Sequence, residues 1–188
     1  MRHTLTAIVL LASQSLAHAA DPADEQAVNQ TEADFVAAHP GSGVAELENE
    51  ILLTQSGVGN YAFAEQYGNA QSKITVEQTG VNNAAGAFQA PGRNNTATVS
   101  QQGNENYVTV TQSGDNNLAD ITQINDRNRL ALDQANGDNS AVIRQNGESG
   151  LQLNQTGGQT ANITIQGAAL GTITQMSPTL NMTVNGTP

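Results

Sequence analysis

The clearest chemical pattern in this sequence is made by carboxamides. Between residues 106 and 123, NYVTVTQSGDNNLADITQ, the order Asn, apolar, apolar, Gln occurs twice at every second position. The first copy runs from Asn106 to Gln112 and the second from Asn117 to Gln123. A carboxamide carries both hydrogen-bond donors and an acceptor, so equivalent side chains stacked on one another can bond in both directions. The chemistry that this spacing favours is therefore structural hydrogen bonding.

The same unit recurs from Glu46 onward in steps of about 11 residues. The recurring glutamines are Gln55, Gln66, Gln78, Gln89, Gln101, Gln112, Gln123, Gln134, Gln145, Gln155, Gln166 and Gln175. Six positions earlier, eight of the twelve units have an asparagine: Asn49, Asn60, Asn83, Asn95, Asn106, Asn117, Asn128 and Asn139. The positions four and two before each Gln are apolar in ten of the twelve units, and the alternate positions are mainly polar. This alternation predicts strands with one buried face.

An 11-residue period is also typical of a right-handed coiled coil, but the glycines argue against one. Most units have a Gly shortly after the Gln, as at Gly57, Gly103 and Gly147. Each such Gly would cost a helix interior about 1 kcal/mol, whereas it suits a turn. We therefore predict an all-β, amyloid-forming β-solenoid of about six strand-turn-strand rungs. It would have two stacked parallel sheets and a length of about 30 Å.

In such a solenoid the glutamines fall into two stacks. The first contains Gln55, Gln78, Gln101, Gln123, Gln145 and Gln166, and the second contains Gln66, Gln89, Gln112, Gln134, Gln155 and Gln175. A buried polar group without a partner costs about 1–3 kcal/mol, and stacking removes that cost. Stacked Asn and Gln side chains are also a device of amyloid. We predict that the twenty Asn and Gln side chains named above form a ladder for self-assembly.

The chain divides into four predicted segments. Residues 1–19 have a basic start, a short apolar run and an Ala-His-Ala pattern, which predicts a signal peptide and a secreted protein. Residues 20–45 are acidic and lack alternation, so we expect a flexible segment. Residues 46–176 hold the repeats, and residues 177–188 form a C-terminal tail or a final strand. The sequence contains no cysteine, so disulfides cannot stabilise the exported chain.

The repeat unit resembles a known family. The pattern Gln-x-Gly-x-x-Asn-x-Ala-x-x-x-Gln, seen in QSGVGNYAFAEQ from Gln55 to Gln66, is similar to the curlin repeat. The segment QSGDNNLADITQ, from Gln112 to Gln123, resembles it as well. The resemblance extends from about Glu46 to Gln175.

The resemblance carries expectations about location and partners. Curlins are subunits of curli, extracellular amyloid fibres on the surface of Gram-negative bacteria in biofilms. It implies self-association into a fibre, a second curlin subunit as nucleator or partner, an outer-membrane secretion pore and periplasmic chaperones. The net charge of −11 resembles the major subunit more than the nucleating one, so a major subunit is the favoured role and a minor subunit the alternative.

The sequence departs from the pattern near its C-terminal end. Ser72, Ser149, Thr160 and Ala169 stand where Asn is expected. In the unit that ends at Gln166, Asn162 and Thr164 occupy the apolar positions, while Ile163 and Ile165 have the opposite parity. A shift of register is therefore expected after about residue 157.

Other functions receive little support from the residues. After leader removal the only histidine is His39, so a catalytic triad or a multi-histidine metal site cannot form. Asp115, Asp126 and Asp138 are expected in turns, and Asp120 and Asp133 on outward strand positions, rather than as a pair of catalytic carboxylates.

Nucleic acid, cofactors and ice are likewise disfavoured as ligands. The charge of −11 disfavours nucleic acid, and no cofactor motif or glycine-rich calcium nonapeptide occurs. An ice-binding solenoid is the remaining alternative, suggested by Thr96 with Thr98 and Thr109 with Thr111. These pairs fall on consecutive units and hence on opposite sheets.

Overall fold

Alternation of apolar and polar residues produces strands throughout the described part of the chain. The computed structural model describes residues 6–12, 49–67 and 69–186. The strands are β1 (Thr6–Ala12), β2 (Glu50–Val58), β3 (Tyr61–Tyr67), β4 (Asn69–Ala70), β5 (Lys73–Val81), β6 (Ala84–Gln89), β7 (Gly92–Arg93), β8 (Thr96–Asn104), β9 (Tyr107–Gln112), β10 (Leu118–Ile124), β11 (Arg129–Ala135), β12 (Ser140–Asn146), β13 (Gly150–Thr156), β14 (Thr160–Gln166), β15 (Leu170–Thr174) and β16 (Thr179–Asn185).

Thirteen of these strands wind into a solenoid with two parallel sheets. Sheet A has the order β3-β6-β9-β11-β13-β15, and sheet B has the order β2-β5-β8-β10-β12-β14-β16. The short strands β4 and β7 pair with each other in the turns. The predicted fold class, a two-sheet β-solenoid of about six turns, is confirmed.

The register between rungs follows the repeat. On sheet B, Gln78 pairs with Gln55 on one side and with Gln101 on the other. On sheet A, Gln112 pairs with Gln89 and Gln134 in the same way. Because the side-chain period of a strand is two, this register puts the inward residues of one rung directly above the inward residues of the next.

The interior is built from small aliphatic side chains. Columns of Ala, Val, Ile and Leu fill the space between the two sheets, and examples such as Ala97, Ile121 and Leu132 are buried. The turns between strands need glycine where rungs approach closely. At Gly80 the backbone φ is +124°, and a Cβ atom would lie 1.9 Å from a backbone oxygen of the rung above. Only glycine fits such a position.

The predicted inward position of Gln166 is wrong. In β14, Ile165 pairs with Gln145, and Gln166 is exposed on the outer side. The inward residues of β14 are Ala161, Ile163 and Ile165, all of which are buried. Each of the two isoleucine side chains contributes about 1.5–3 kcal/mol on burial, more than the net 0.5–1.5 kcal/mol of one hydrogen bond. The burial of the isoleucines therefore decides which residues of β14 face inward, and the 11-residue spacing of the glutamines does not.

The first described strand lies within the predicted signal peptide. Strand β1 pairs antiparallel with the outer edge of β3, from Thr6 opposite Tyr67 to Ala12 opposite Tyr61. The rest of the predicted leader and the predicted flexible segment up to residue 45 lie outside the described residues. In the described part of the chain, no helix is long and apolar enough to cross a bilayer.

Candidate functional site

The glutamines of sheet A form an unbroken hydrogen-bonded ladder. Each side-chain Nε2 donates to the Oε1 of the glutamine one rung further along the chain. The bonds measure 2.8 Å from Gln66 to Gln89, 2.8 Å from Gln89 to Gln112, 2.9 Å from Gln112 to Gln134, 2.8 Å from Gln134 to Gln155 and 2.9 Å from Gln155 to Gln175. All six side chains are buried.

Sheet B carries a second ladder with the same direction. Its bonds measure 2.6 Å from Gln55 to Gln78, 2.7 Å from Gln78 to Gln101, 2.9 Å from Gln101 to Gln123 and 2.8 Å from Gln123 to Gln145. This ladder ends at Gln145, because Ile165 occupies the next inward position. The sheet B ladder therefore has five members instead of the six expected from the sequence.

Each interior glutamine also bonds across the core, and this contact has no signature in the sequence. The second N–H of Gln112 donates to the backbone oxygen of Thr96 on sheet B at 2.9 Å. In the other direction, Gln123 on sheet B donates to the backbone oxygen of Tyr107 on sheet A at 3.1 Å. The glutamines thus join rung to rung and sheet to sheet, and those between the ends of each ladder use both their amide N–H groups and their oxygen.

The asparagines form two further ladders at the start of the strands. On sheet A, Asn83 donates from Nδ2 to Asn60 Oδ1 at 3.1 Å, and its backbone N–H donates to the same oxygen at 3.0 Å. On sheet B, Asn139 donates from Nδ2 to Asn117 Oδ1 at 3.0 Å. Here the donor belongs to the later rung, so the asparagine ladders run opposite to the glutamine ladders. The side-chain amide dipoles of the two kinds of ladder therefore oppose each other.

Residues that replace asparagine continue these columns. Ser72 bonds to Asn49 through its backbone N–H at 3.1 Å, and the Ser149 hydroxyl donates to Asn128 Oδ1 at 2.9 Å. In β14 the position is filled by Gln159, whose N–H donates to Asn139 Oδ1 at 3.3 Å, and not by Thr160. The sequence signal for this change is the spacing of Ile163 and Ile165. They lie four and six residues after Gln159, and so face inward with it.

Almost every buried polar side chain in the described residues has a partner. Thr75 Oγ1 is the one buried side-chain oxygen or nitrogen there without a hydrogen bond. An unpaired buried amide would cost about 1–3 kcal/mol, and the ladders avoid this cost. They also fix the register, because a strand shifted by one residue would turn its amides to the other face of the sheet.

The comparisons with known proteins are consistent with this geometry. The model of the family described as curlin associated repeat matches residues 48–72, 71–103 and 92–124. These three matches support membership of the curlin family and place curlin-type repeats in residues 48–124. The matched region ends at residue 124, whereas the sheet A ladder continues to Gln175. No curated protein and no solved structure matches the chain.

The two ends of the described solenoid differ. At the N-terminal end, the Oε1 atoms of Gln55 and Gln66 receive no hydrogen bond from a described residue. At the C-terminal end, both N–H groups of Gln175 are used: they donate to the backbone oxygen of Thr160 at 2.9 Å and to that of Ser177 at 2.8 Å. One end therefore offers acceptors, and the other ends in a satisfied amide.

The candidate carboxylates lie outside the core. Asp115 and Asp126 accept backbone N–H groups of the preceding rung's turn, from Arg93 at 2.9 Å and from Asn104 at 2.8 Å. Asp120 and Asp133 are exposed on opposite sheets. No group of three potential metal ligands occurs among the described residues. Asp115 and Asp126 thus extend the hydrogen bonding between rungs into the turns, where they stabilise the stacking of one rung on the next.

The threonine pairs also lie on different surfaces. Thr96 and Thr98 are on the outer face of sheet B, and Thr109 and Thr111 are on that of sheet A. On sheet B the threonines have Lys73 and Asp120 as neighbours in the adjoining rungs. These pairs therefore do not combine into one flat threonine array.

Proposed function

We propose that this curlin is a secreted structural subunit that self-assembles end to end into extracellular curli-type amyloid fibres. The fibres would serve biofilm matrix and adhesion on a Gram-negative cell surface. The observation that carries the proposal is the pair of glutamine ladders, whose first members, Gln55 and Gln66, accept no hydrogen bond from another described residue. Among the described strands β2 pairs with β5 on one side, so its other edge is open to a strand of a second copy.

The energetics of a single rung favour assembly. Fixing the backbone of one residue costs about 1–2 kcal/mol, and a rung orders about 22 residues. Its four small aliphatic side chains return at most about 1.5–3 kcal/mol each. A rung therefore depends on neighbours on both sides, and the terminal rungs depend on another molecule. Soluble repeat proteins cover such edges with a cap, whereas the N-terminal edge of β2 carries the same ladder residues as the interior.

The export route follows from the predicted leader. Residues 1–19 would direct secretion, and the resemblance to curlins adds periplasmic chaperones and an outer-membrane secretion pore as partners. Fibre growth would be supported by a second curlin subunit acting as nucleator. The net charge of −11 supports the major role for this chain, with the minor or nucleating role as the alternative.

A carbohydrate-active or ice-binding solenoid finds less support. Both the curlin family and the two-sheet solenoid are structural in character, and the exposed carboxylates Asp120 and Asp133 lie on opposite sheets. The most specific chemistry of the chain, the hydrogen bonding of its stacked Asn and Gln side chains, joins one rung to the next.

Polymerisation of the leaderless chain tests the proposal. From dilute solution it should form fibres after a lag, bind thioflavin and give a reflection near 4.7–4.8 Å along the fibre axis. Addition of preformed fibres should remove the lag. A chain that stays monomeric even when seeded would refute the assembly function.

A further inference from the structure

Among the described residues, the solenoid has an odd number of strands. Sheet B contains seven of the thirteen, from β2 to β16, and sheet A contains six, from β3 to β15. The chain enters on sheet B and also leaves on sheet B. In a solenoid the two sheets alternate along the chain, so the strand that would continue after β16 belongs on sheet A, on the free edge of β15.

This parity decides how a second copy can join. If its β2 continues the solenoid, β2 lies on β15 and its β3 lies on β16. The second copy is then turned by about 180° around the fibre axis. If it is not turned, its β2 lies on β16, and sheet A is left one strand short at every junction. Such a gap would leave a row of backbone groups without partners.

The ladders favour the turned arrangement. It places Gln55 of the next copy above Gln175, where the sheet A ladder ends. Every interior glutamine donates one N–H across the core and one to the next rung. Gln175 keeps the bond across the core to Thr160, and the Ser177 oxygen receives the second N–H, in the place of a next-rung carboxamide. In the turned arrangement the Oε1 of Gln55 would replace the Ser177 oxygen as the acceptor of this N–H, as in every interior rung of the ladder.

The unturned arrangement lacks this match. It would place Gln55 of the next copy on Val184, the inward residue of β16 that follows Ile165 in its column. Its carboxamide oxygen would then be buried against an aliphatic side chain. In the turned arrangement Gln66 meets Val184 instead, so one of the two ladders is continued rather than neither.

We propose that successive copies of this chain in a fibre are related by a rotation of about 180°, so that β2 of one copy pairs with β15 of the copy before it. This inference rests on the proposed end-to-end assembly and specifies its junction. Six and a half rungs at about 4.8 Å give a rise of about 31 Å per copy. The axial repeat of the fibre, which contains two copies, is then about 62 Å. In the full-length chain β1 occupies the free edge of β3, which the β16 of a neighbour would take, so the inference applies to the chain after leader removal.

Paired cysteines distinguish the two junctions, since the natural sequence has no cysteine. Leu52→Cys combined with Thr172→Cys places two outward side chains side by side only when β2 lies on β15. Leu52→Cys combined with Asn181→Cys does so only when β2 lies on β16. Adjacent in-register strands put their Cα atoms about 4.8 Å apart, within the range of a disulfide.

The expected result is specific to one pair. Fibres of the leaderless variants, grown reduced and then oxidised, should yield a series of covalent multimers for Leu52→Cys with Thr172→Cys. The Asn181 pair and the three single-cysteine controls should remain monomeric on a denaturing gel. Fibres in which the Asn181 pair cross-links, or neither pair does, would overturn the rotated junction while leaving end-to-end assembly standing.

A second measurement needs no substitution. Cryo-electron microscopy of fibres of the leaderless natural sequence should give a helical symmetry of about 180° and 31 Å per copy. A rotation near zero would overturn the inference. Failure of the natural chain to form any fibre would refute the proposed function itself, and with it the junction.

Discussion

Removal of one interior ladder member should weaken the whole assembly. Gln112 makes three hydrogen bonds in the middle of sheet A: it donates to Gln134 at 2.9 Å and to the Thr96 carbonyl at 2.9 Å, and it accepts from Gln89 at 2.8 Å. Gln112→Ala removes all three and leaves their partners buried. At about 1 kcal/mol for each net bond, the loss is about 3 kcal/mol. The cavity left by the missing amide adds to this loss.

The critical concentration for assembly measures this loss. It is the concentration of soluble protein that remains once fibre growth has stopped, and a change of 1.4 kcal/mol alters it tenfold. Gln112→Ala should therefore raise it by about 100-fold. Thr111→Ala is the matched control, because Thr111 is the exposed neighbour of Gln112 on the same strand. A surface change of about 0.5 kcal/mol should raise the critical concentration by no more than two- to threefold. Equal effects of the two substitutions would refute the assignment of the ladder as the source of stability.

Three further outcomes follow from the same structure. In a thioflavin assay Gly80→Ala should prevent normal assembly, because a Cβ there would overlap a backbone oxygen of the next rung. Gly171→Ala is the control and should assemble normally, because a Cβ at that position has no atom within 4 Å. In a denaturant titration, Ile165→Ala should lower the free energy of unfolding by about 2–5 kcal/mol, and Gln166→Ala by about 0.5 kcal/mol or less. The reverse order would show that Gln166, and not Ile165, faces inward. Proteolysis of finished fibres followed by mass spectrometry should remove residues 20–45, and their complete protection would show that the repeat boundary is misplaced.

The sheets and the ladder register could be predicted because the repeat is strict. From Gln55 to Gln155 the step between glutamines stays near 11 residues, and apolar positions keep one parity. In a strand that parity alone decides which side chains face inward. The stacking of equivalent residues then follows from the rung length without knowledge of any particular contact.

The sequence predicted less where two signals conflicted or where the partner was backbone. In β14 the glutamine spacing pointed to Gln166, but the parity of Ile163 and Ile165 determined the strand, and Gln159 took the asparagine position. The bonds across the core end on carbonyl groups, such as that of Thr96, which every residue possesses. The direction of each ladder was also open, because a carboxamide can donate towards either neighbour.

The separation of equivalent residues along the fibre distinguishes end-to-end solenoids from flat chains stacked in register. In end-to-end solenoids one copy occupies about 31 Å of the fibre, whereas chains that lie flat and stack in register would place the same residue every 4.8 Å or so. A spin label attached through Thr111→Cys, on the exposed face of β9, reports which spacing is present. End-to-end stacking of solenoids predicts an electron paramagnetic resonance spectrum without dipolar broadening, unchanged when labelled chain is diluted with unlabelled chain. Strong broadening that disappears on dilution would contradict it.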